Sequence, residues 1–233
     1  MGKARNRIHL IATALLCATV IAGCATKVPF DYTPSWVPED DIPPPWNNAT
    51  VSVVDNRSDS SVDEFLTTAV DHAIGKALAD ELRSAGLAAE ASFGTYLAEI
   101  PTVDLQQQGI DAHLVANVQE LRWEIVNYPA LLATTFVVGL TTGLVGTAIM
   151  SATKTDVDGH AKIDVRLTDI LLGRSFSKAY AGHCEQEWPT FEADQPEARS
   201  RIVACAFGNA IRELGADLEG FAATLPPPAS SHP

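Results

Sequence analysis

The sequence predicts an α+β domain: a mainly antiparallel sheet with two helices packed on one face, plus an apolar helical (hairpin) insertion. Three observations lead there. Residues Lys162 to Asp169 alternate, with Ile163, Val165 and Leu167 on one side and Lys162, Asp164 and Arg166 on the other, as a strand with one wet face does. Two other stretches repeat apolar residues at intervals of three and four, which marks helices with one buried face. Between them Ala130 to Ala152 runs 23 residues without a charge.

The chain opens with Lys3, Arg5 and Arg7 and no acid, then stays apolar from Ile8 to Ile21. That run falls short of the roughly 20 apolar residues needed to span a bilayer. A basic start, a short apolar core and small residues at its end make a secretory signal. Ile21-Ala22-Gly23-Cys24 resembles the lipobox of bacterial lipoproteins, an aliphatic residue and two small residues before cysteine. The resemblance implies cleavage between Gly23 and Cys24 and diacylglycerol and acyl chains on Cys24, the partner there being membrane lipid. Each buried CH₂ contributes about 0.8 kcal/mol, so several chains on one residue anchor stably. Residue 25 is Ala. In enterobacterial lipoproteins an Asp there favours inner-membrane retention, so the resemblance implies the inner leaflet of the outer membrane, facing the periplasm.

Residues 24–49 read as a Pro-rich tether, with Pro29, Pro34, Pro38, Pro43, Pro44 and Pro45. It also carries Phe30, Tyr32, Trp36 and Trp46, which dock back on the domain, meet a partner or rest near the membrane. The domain proper is read as 50–225. Thr50 to Val54 is a short strand. Ser61-Val-Asp-Glu64 reads as a capping box, opening a helix with Phe65, Ala69, Ala73, Ala77, Leu78 and Leu82 inward and Gly86 as its left-handed stop. Leu87 to Phe93 is a second strand, and a short helix is expected near Val103 to Gln108. Ala112 to Val126 is the longest strand, its apolar parity switching at Gln119-Glu120, where a bulge is expected. Lys162 to Asp169 and Ser175 to His183 form a hairpin around Leu172-Gly-Arg174. Asp194 with Pro196 opens a last helix that buries Val203, Phe207, Ala210, Leu214, Leu218 and Phe221. Residues 226–233 are a loose tail.

After the signal the chain keeps 13 Lys+Arg and all 29 Asp+Glu, a formal charge of −16. So acidic a surface repels nucleic acid and anionic headgroups. Cys17 leaves with the signal and Cys24 is lipidated, which leaves Cys184 and Cys205. In an oxidising compartment a disulfide between them is the first reading and two buried thiols the second. His183 adjoins Cys184 with no second Cys/His pair at ligand spacing, so no metal site is expected. No nucleophile elbow, zinc-protease helix or phosphate loop occurs, so no catalytic residue or cofactor is assigned. Asp156-Val-Asp-Gly159 has its Gly too early for a calcium loop and reads as a turn opening the next strand. His72 and His113 read as structural, and Asp55 with Arg57 as a loop-bracing ion pair.

Val51-Ser-Val-Val-Asp-Asn-Arg57, Leu82-Arg-Ser-Ala-Gly86, Gly159 to Leu167 and Tyr180-Ala-Gly182 together carry a family resemblance. Behind the lipobox they resemble the YajG-like outer-membrane lipoproteins. More distantly they resemble the TolB amino-terminal-type fold of envelope lipoproteins such as LpoB and CsgG. The resemblance covers roughly Thr50 to Leu225. It implies an adaptor, regulator or secretion component without catalytic residues.

The apolar run departs from that pattern. It is long enough to span a bilayer, and Gly139 and Gly143 stand at the spacing that lets helices approach closely. A single span would place the strands on its two sides across a membrane from each other, which one sheet forbids. Four readings stay open: a helical hairpin bent near Leu140 to Gly143 that dips into the leaflet or buries on the domain, an interface for oligomers or partners, a pore-forming hairpin, and a plain core helix. Leu131, Phe136, Val137, Gly139, Gly143, Val145, Gly146 and Ile149 are the candidate membrane or interface residues. The expected function is a lipid-anchored, non-enzymatic component of a periplasmic or outer-membrane assembly, its partners envelope proteins or further copies of itself. The alternative is a membrane-inserting component of a transport or secretion system.

Overall fold

The computed structural model describes residues 28, 30, 32–34, 44–59, 61–66, 69–94, 101–126, 154–189 and 192–225. Cys24, Trp36 and the apolar run 130–152 lie outside them. Five strands form one sheet: β1 (Trp46–Asp55), β2 (Ala88–Phe93), β3 (Ala112–Ile125), β4 (Lys154–Asp169) and β5 (Arg174–Pro189), in the order β2-β1-β3-β4-β5. The helices are α1 (Val70–Ser84), α2 (Thr102–Gln107) and α3 (Pro196–Ala222).

The sheet is mixed, which corrects the expectation of a mainly antiparallel one. β1 pairs parallel with both β2 and β3, whereas β3–β4 and β4–β5 are antiparallel. The cause is connectivity. α1 lies between β1 and β2, and α2 between β2 and β3, so each helix carries the chain back to begin the next strand at the same end. Among the described residues the Ile170–Gly173 turn reverses it tightly, with Gly173 at φ 65°.

The expected capping box is also corrected. Ser61–Glu64 is a single 3-10 turn, and α1 starts only at Val70, with no side-chain cap. Phe65 and Leu66 are consecutive, and both are 2% exposed. Leu66 forms a parallel bridge to Val28, an extended pairing that a helix cannot accommodate. At its other end α1 stops as its glycine requires. Gly86 has φ 66°, its N–H donates to Arg83 O, and Leu87 N–H donates to Leu82 O.

α1 and α3 share one face of the sheet. Val70, Ile74, Leu78 and Leu82 from α1 meet Ile202, Phe207, Ile211 and Leu214 from α3 in one core, over Val51, Leu114, Ile163 and Leu167. Full burial of each such side chain contributes about 1.5–3 kcal/mol. β1 begins at Trp46 rather than Thr50. Trp46 is 1% exposed and donates from Nε1 to Asp169 Oδ2 at 3.0 Å, while Asp169 Oδ1 accepts from Leu172 N–H at the hairpin turn. The register of β3 on β4 shifts between Val118 and Glu120, where the apolar parity switches. Asp156 to Gly159 lies inside β4, not in the turn expected there.

Candidate functional site

The described residues on the two sides of the apolar run meet each other at one end of the sheet. Val126 N–H donates to Asp156 O at 3.0 Å, and Thr155 Oγ1 donates to Val126 O at 3.3 Å. The chain therefore leaves and re-enters the sheet within one backbone hydrogen bond. A single passage through a hydrocarbon layer would separate the two ends by about 30 Å. Among the described residues no helix is long and apolar enough to cross a membrane.

The amino-terminal segment meets the domain at the same end. Val28 N–H donates to Phe65 O at 2.8 Å, and Val28 bridges Leu66. The Arg199 guanidinium lies 5.9 Å from the centre of the Phe65 ring and 4.2 Å from that of Trp123, two residues before the end of β3. Phe30 and Tyr32 then pack edge-on against Phe207, at 5.4 and 5.3 Å between centroids. Tyr32 OH donates to Glu81 Oε2 at 2.9 Å. Glu81 is 2% exposed, and burial pushes its carboxyl above the usual range, partly offset by the Tyr32 hydrogen bond. Of the four tether aromatics, Phe30, Tyr32 and Trp46 dock on the chain's own domain.

Cys184 on β5 and Cys205 on α3 form a disulfide with 5.8 Å between Cα atoms. Asn209 Nδ2 donates to His183 O beside it at 2.7 Å. α3 lies unusually close to the hairpin here: a Cβ on Gly159 would stand 2.5 Å from Ile202 O, and one on Gly182 1.9 Å from Ala206 O. Glycine is required at both places by the close approach of backbone to backbone.

Two polar clusters resemble reactive sites, the first buried and the second with its carboxylates open to solvent. Ser52 Oγ lies 2.9 Å from His113 Nε2. Burial, and then the Arg166 charge, hold that imidazole below its ordinary pKa, favouring the neutral form that a base requires. Ser52 is 0% and His113 7% exposed, so the pair lies out of contact with solvent. Arg57, 3% exposed in its side chain, donates to Asp55 at 2.6 Å and Asp63 at 3.2 Å. The hydrogen bond from Arg57 is the main reason that the Asp55 carboxyl stands below its usual value. Arg57 thereby ties the end of β1 to the 3-10 turn.

The sheet face away from α1 and α3 carries the arrangement that the sequence hid. β4 pairs His160 with His183 of β5, and Asp158 precedes His160 by two residues on the same face. Among the described residues these three form the one group whose metal-ligating atoms cluster, all within 4.8 Å of one another. His183 stood alone in the sequence because its partner lies 23 positions away. A hairpin turn centred between Leu171 and Leu172 is the signal that brings His160 opposite it. Gly23, Cys24 and the eight candidate residues from Leu131 to Ile149 lie outside the described residues.

No family model and no curated protein matches the chain. Solved structures resemble it loosely. The PelC dodecamer from Paraburkholderia phytofirmans is 13% identical with a TM-score of 0.35, over 72% of this chain and 88% of that one. Lipoprotein GNA1162 from Neisseria meningitidis is 13% identical with a TM-score of 0.36, over 60% and 84%. The hypothetical protein CT253 from Chlamydia trachomatis is 10% identical with a TM-score of 0.41, over 77% and 99%.

Proposed function

We propose that this chain is a lipid-anchored envelope lipoprotein, a non-enzymatic structural or interaction component of a periplasmic or outer-membrane assembly. Acylated Cys24 holds it in the inner leaflet of the outer membrane, facing the periplasm. The observation that carries the reading is the lipobox ending at Cys24, four residues before Val28 is stitched to the domain. Four extended residues reach at most about 14 Å, so the Val126 end of the sheet stands at the membrane surface. The acidic body gains nothing from anionic headgroups, and the acyl chains supply the attachment. The YajG-like resemblance of the Val51 to Arg57 segment fits an adaptor of this kind.

Growth with labelled palmitate tests the anchor. The wild-type chain takes up label and shortens, the Cys24→Ser chain does neither, and density separation places the labelled form with outer membranes. An unlabelled wild-type chain refutes the reading.

A second reading, a membrane-inserting transport or secretion component, is favoured by one fact. The uncharged 23-residue run departs from the same end of the sheet as the anchor segment. Carbonate extraction of a Cys24→Ser chain processed at a substitute site separates the two. Retention in the membrane supports insertion. Release, together with loss of a native complex on deletion of 130–152, supports an interface.

A further inference from the structure

We propose that Asp158, His160 and His183 bind one divalent transition-metal ion of the zinc class on the open face of the β4–β5 hairpin. Register brings the three together. His160 and His183 are direct cross-strand partners, with ring centroids 4.9 Å apart and planes 33° from parallel. His183 Nε2 lies 3.8 Å from Asp158 Oδ2, close enough for a shared ion and too far for a hydrogen bond. Two ligand atoms on a tetrahedral zinc stand about 3.3 Å apart, so small side-chain rotations close the site.

Two atoms at the site want a partner. Asp158 Oδ1 and His160 Nε2 are both shielded from solvent, and neither has a hydrogen-bond partner among the described residues. Buried polar atoms in native proteins are ordinarily satisfied, and a cation between these two satisfies both at once. A further carboxylate at the site is Glu124, whose Oε1 lies 3.6 Å from His160 Nε2. It stands ready as a fourth ligand, in competition with Arg122, whose Nη1 is 3.5 Å from Glu124 Oε2.

The backbone that carries the ligands is held rigidly from behind. Gly159 sits between Asp158 and His160, and Gly182 precedes His183; α3 lies against both glycines. The Cys184–Cys205 disulfide follows His183 directly, and Asn209 Nδ2 holds the His183 carbonyl. Such support fixes a first coordination shell before the ion arrives. Two imidazoles with a carboxylate suit zinc and its first-row neighbours, whereas magnesium and calcium favour all-oxygen sets. This proposal stands independently of the anchor at Cys24.

The test uses the full chain, purified in detergent without a polyhistidine tag and stripped with a chelator. Calorimetric titration with zinc chloride is expected to show one saturable equivalent that persists in excess magnesium. Bound cobalt is expected to develop the visible ligand-field bands of a low-coordinate site. His160→Ala, His183→Ala and Asp158→Asn are each expected to weaken zinc by more than about 100-fold, beyond the 10–100-fold losses of outer-shell changes. His72→Ala, on α1, leaves binding unchanged. Asp158→Asn keeps side-chain size, so it reports on the ion should a histidine variant unfold. Zinc uptake that survives all three variants, or that magnesium displaces, overturns the proposal.

Discussion

Removing the Cys184–Cys205 disulfide measures how far α3 depends on a covalent clamp to stay on the sheet. The bond closes a sequence separation of 21 residues. Loop-closure entropy for that length amounts to about 11 cal/mol/K, or about 3 kcal/mol at 25 °C, taken from the unfolded state. Alanine at both ends removes the bond without adding a hydroxyl beside Cys184, which is 8% exposed. Urea unfolding of the full chain in mild detergent, followed by tryptophan fluorescence, reads the loss. With a urea slope of about 1–3 kcal/mol/M, the midpoint of the double alanine variant falls by about 1–3 M. Reductant is expected to move the wild-type midpoint to the same place and leave the double variant where it is. Coincident midpoints for wild type and variant, with or without reductant, would refute the clamp.

Gly182→Ala places a Cβ 1.9 Å from Ala206 O and 2.6 Å from Ala210 N, so α3 must lift; a loss at or above the usual overpacking cost of about 1–3 kcal/mol is expected in thermal unfolding. Gly220→Ala meets nothing within 4 Å and is expected to gain about 0.5–1 kcal/mol of helix propensity, so equal behaviour of the two variants would contradict the close approach. Glu81 holds its proton more tightly folded than unfolded, so the stability of its neutral form is complete below its ordinary value of 4.5 and is lost as pH rises through the raised folded value. Glu81→Gln mimics the neutral form and still accepts from Tyr32; it is expected to exceed wild type in stability at neutral pH and to match it below that value, as pH-resolved denaturation will show.

Periodicity made the core of this fold legible and left its strand directions hidden. Ile163, Val165 and Leu167 alternate because one side of β4 meets α3 and the other meets water, and that contrast is written residue by residue. The parallel pairing of β1 with β2 and β3 leaves no such mark, since side-chain alternation is the same whichever way a neighbour runs. Phe65 and Leu66 misled for a related reason. Apolar spacing of three and four continues from Phe65 through Ala69 and Ala73, but Leu66 is held extended by Val28, 38 residues earlier. Local pattern cannot report a partner so remote.

The same limit governs the sites. Ser52 beside His113 and His160 beside His183 are products of register, of β1 on β3 in the first case and of β4 on β5 around the Gly173 turn in the second, rather than of motif spacing. The effective length of the tether follows that logic too. Fully extended, residues 24–49 would span about 90 Å and let the domain roam far from its lipid. With Val28 on Leu66, Phe30 on Phe207 and Tyr32 on both Phe207 and Glu81, Cys24 lies within at most about 14 Å of Val28. A segment that reads as a spacer by its prolines is therefore bound by its aromatics. On the proposed anchor at Cys24 the consequence is orientation: the end of the sheet at Val126 would face the bilayer, and the Leu171–Leu172 turn at the far end would face away from it.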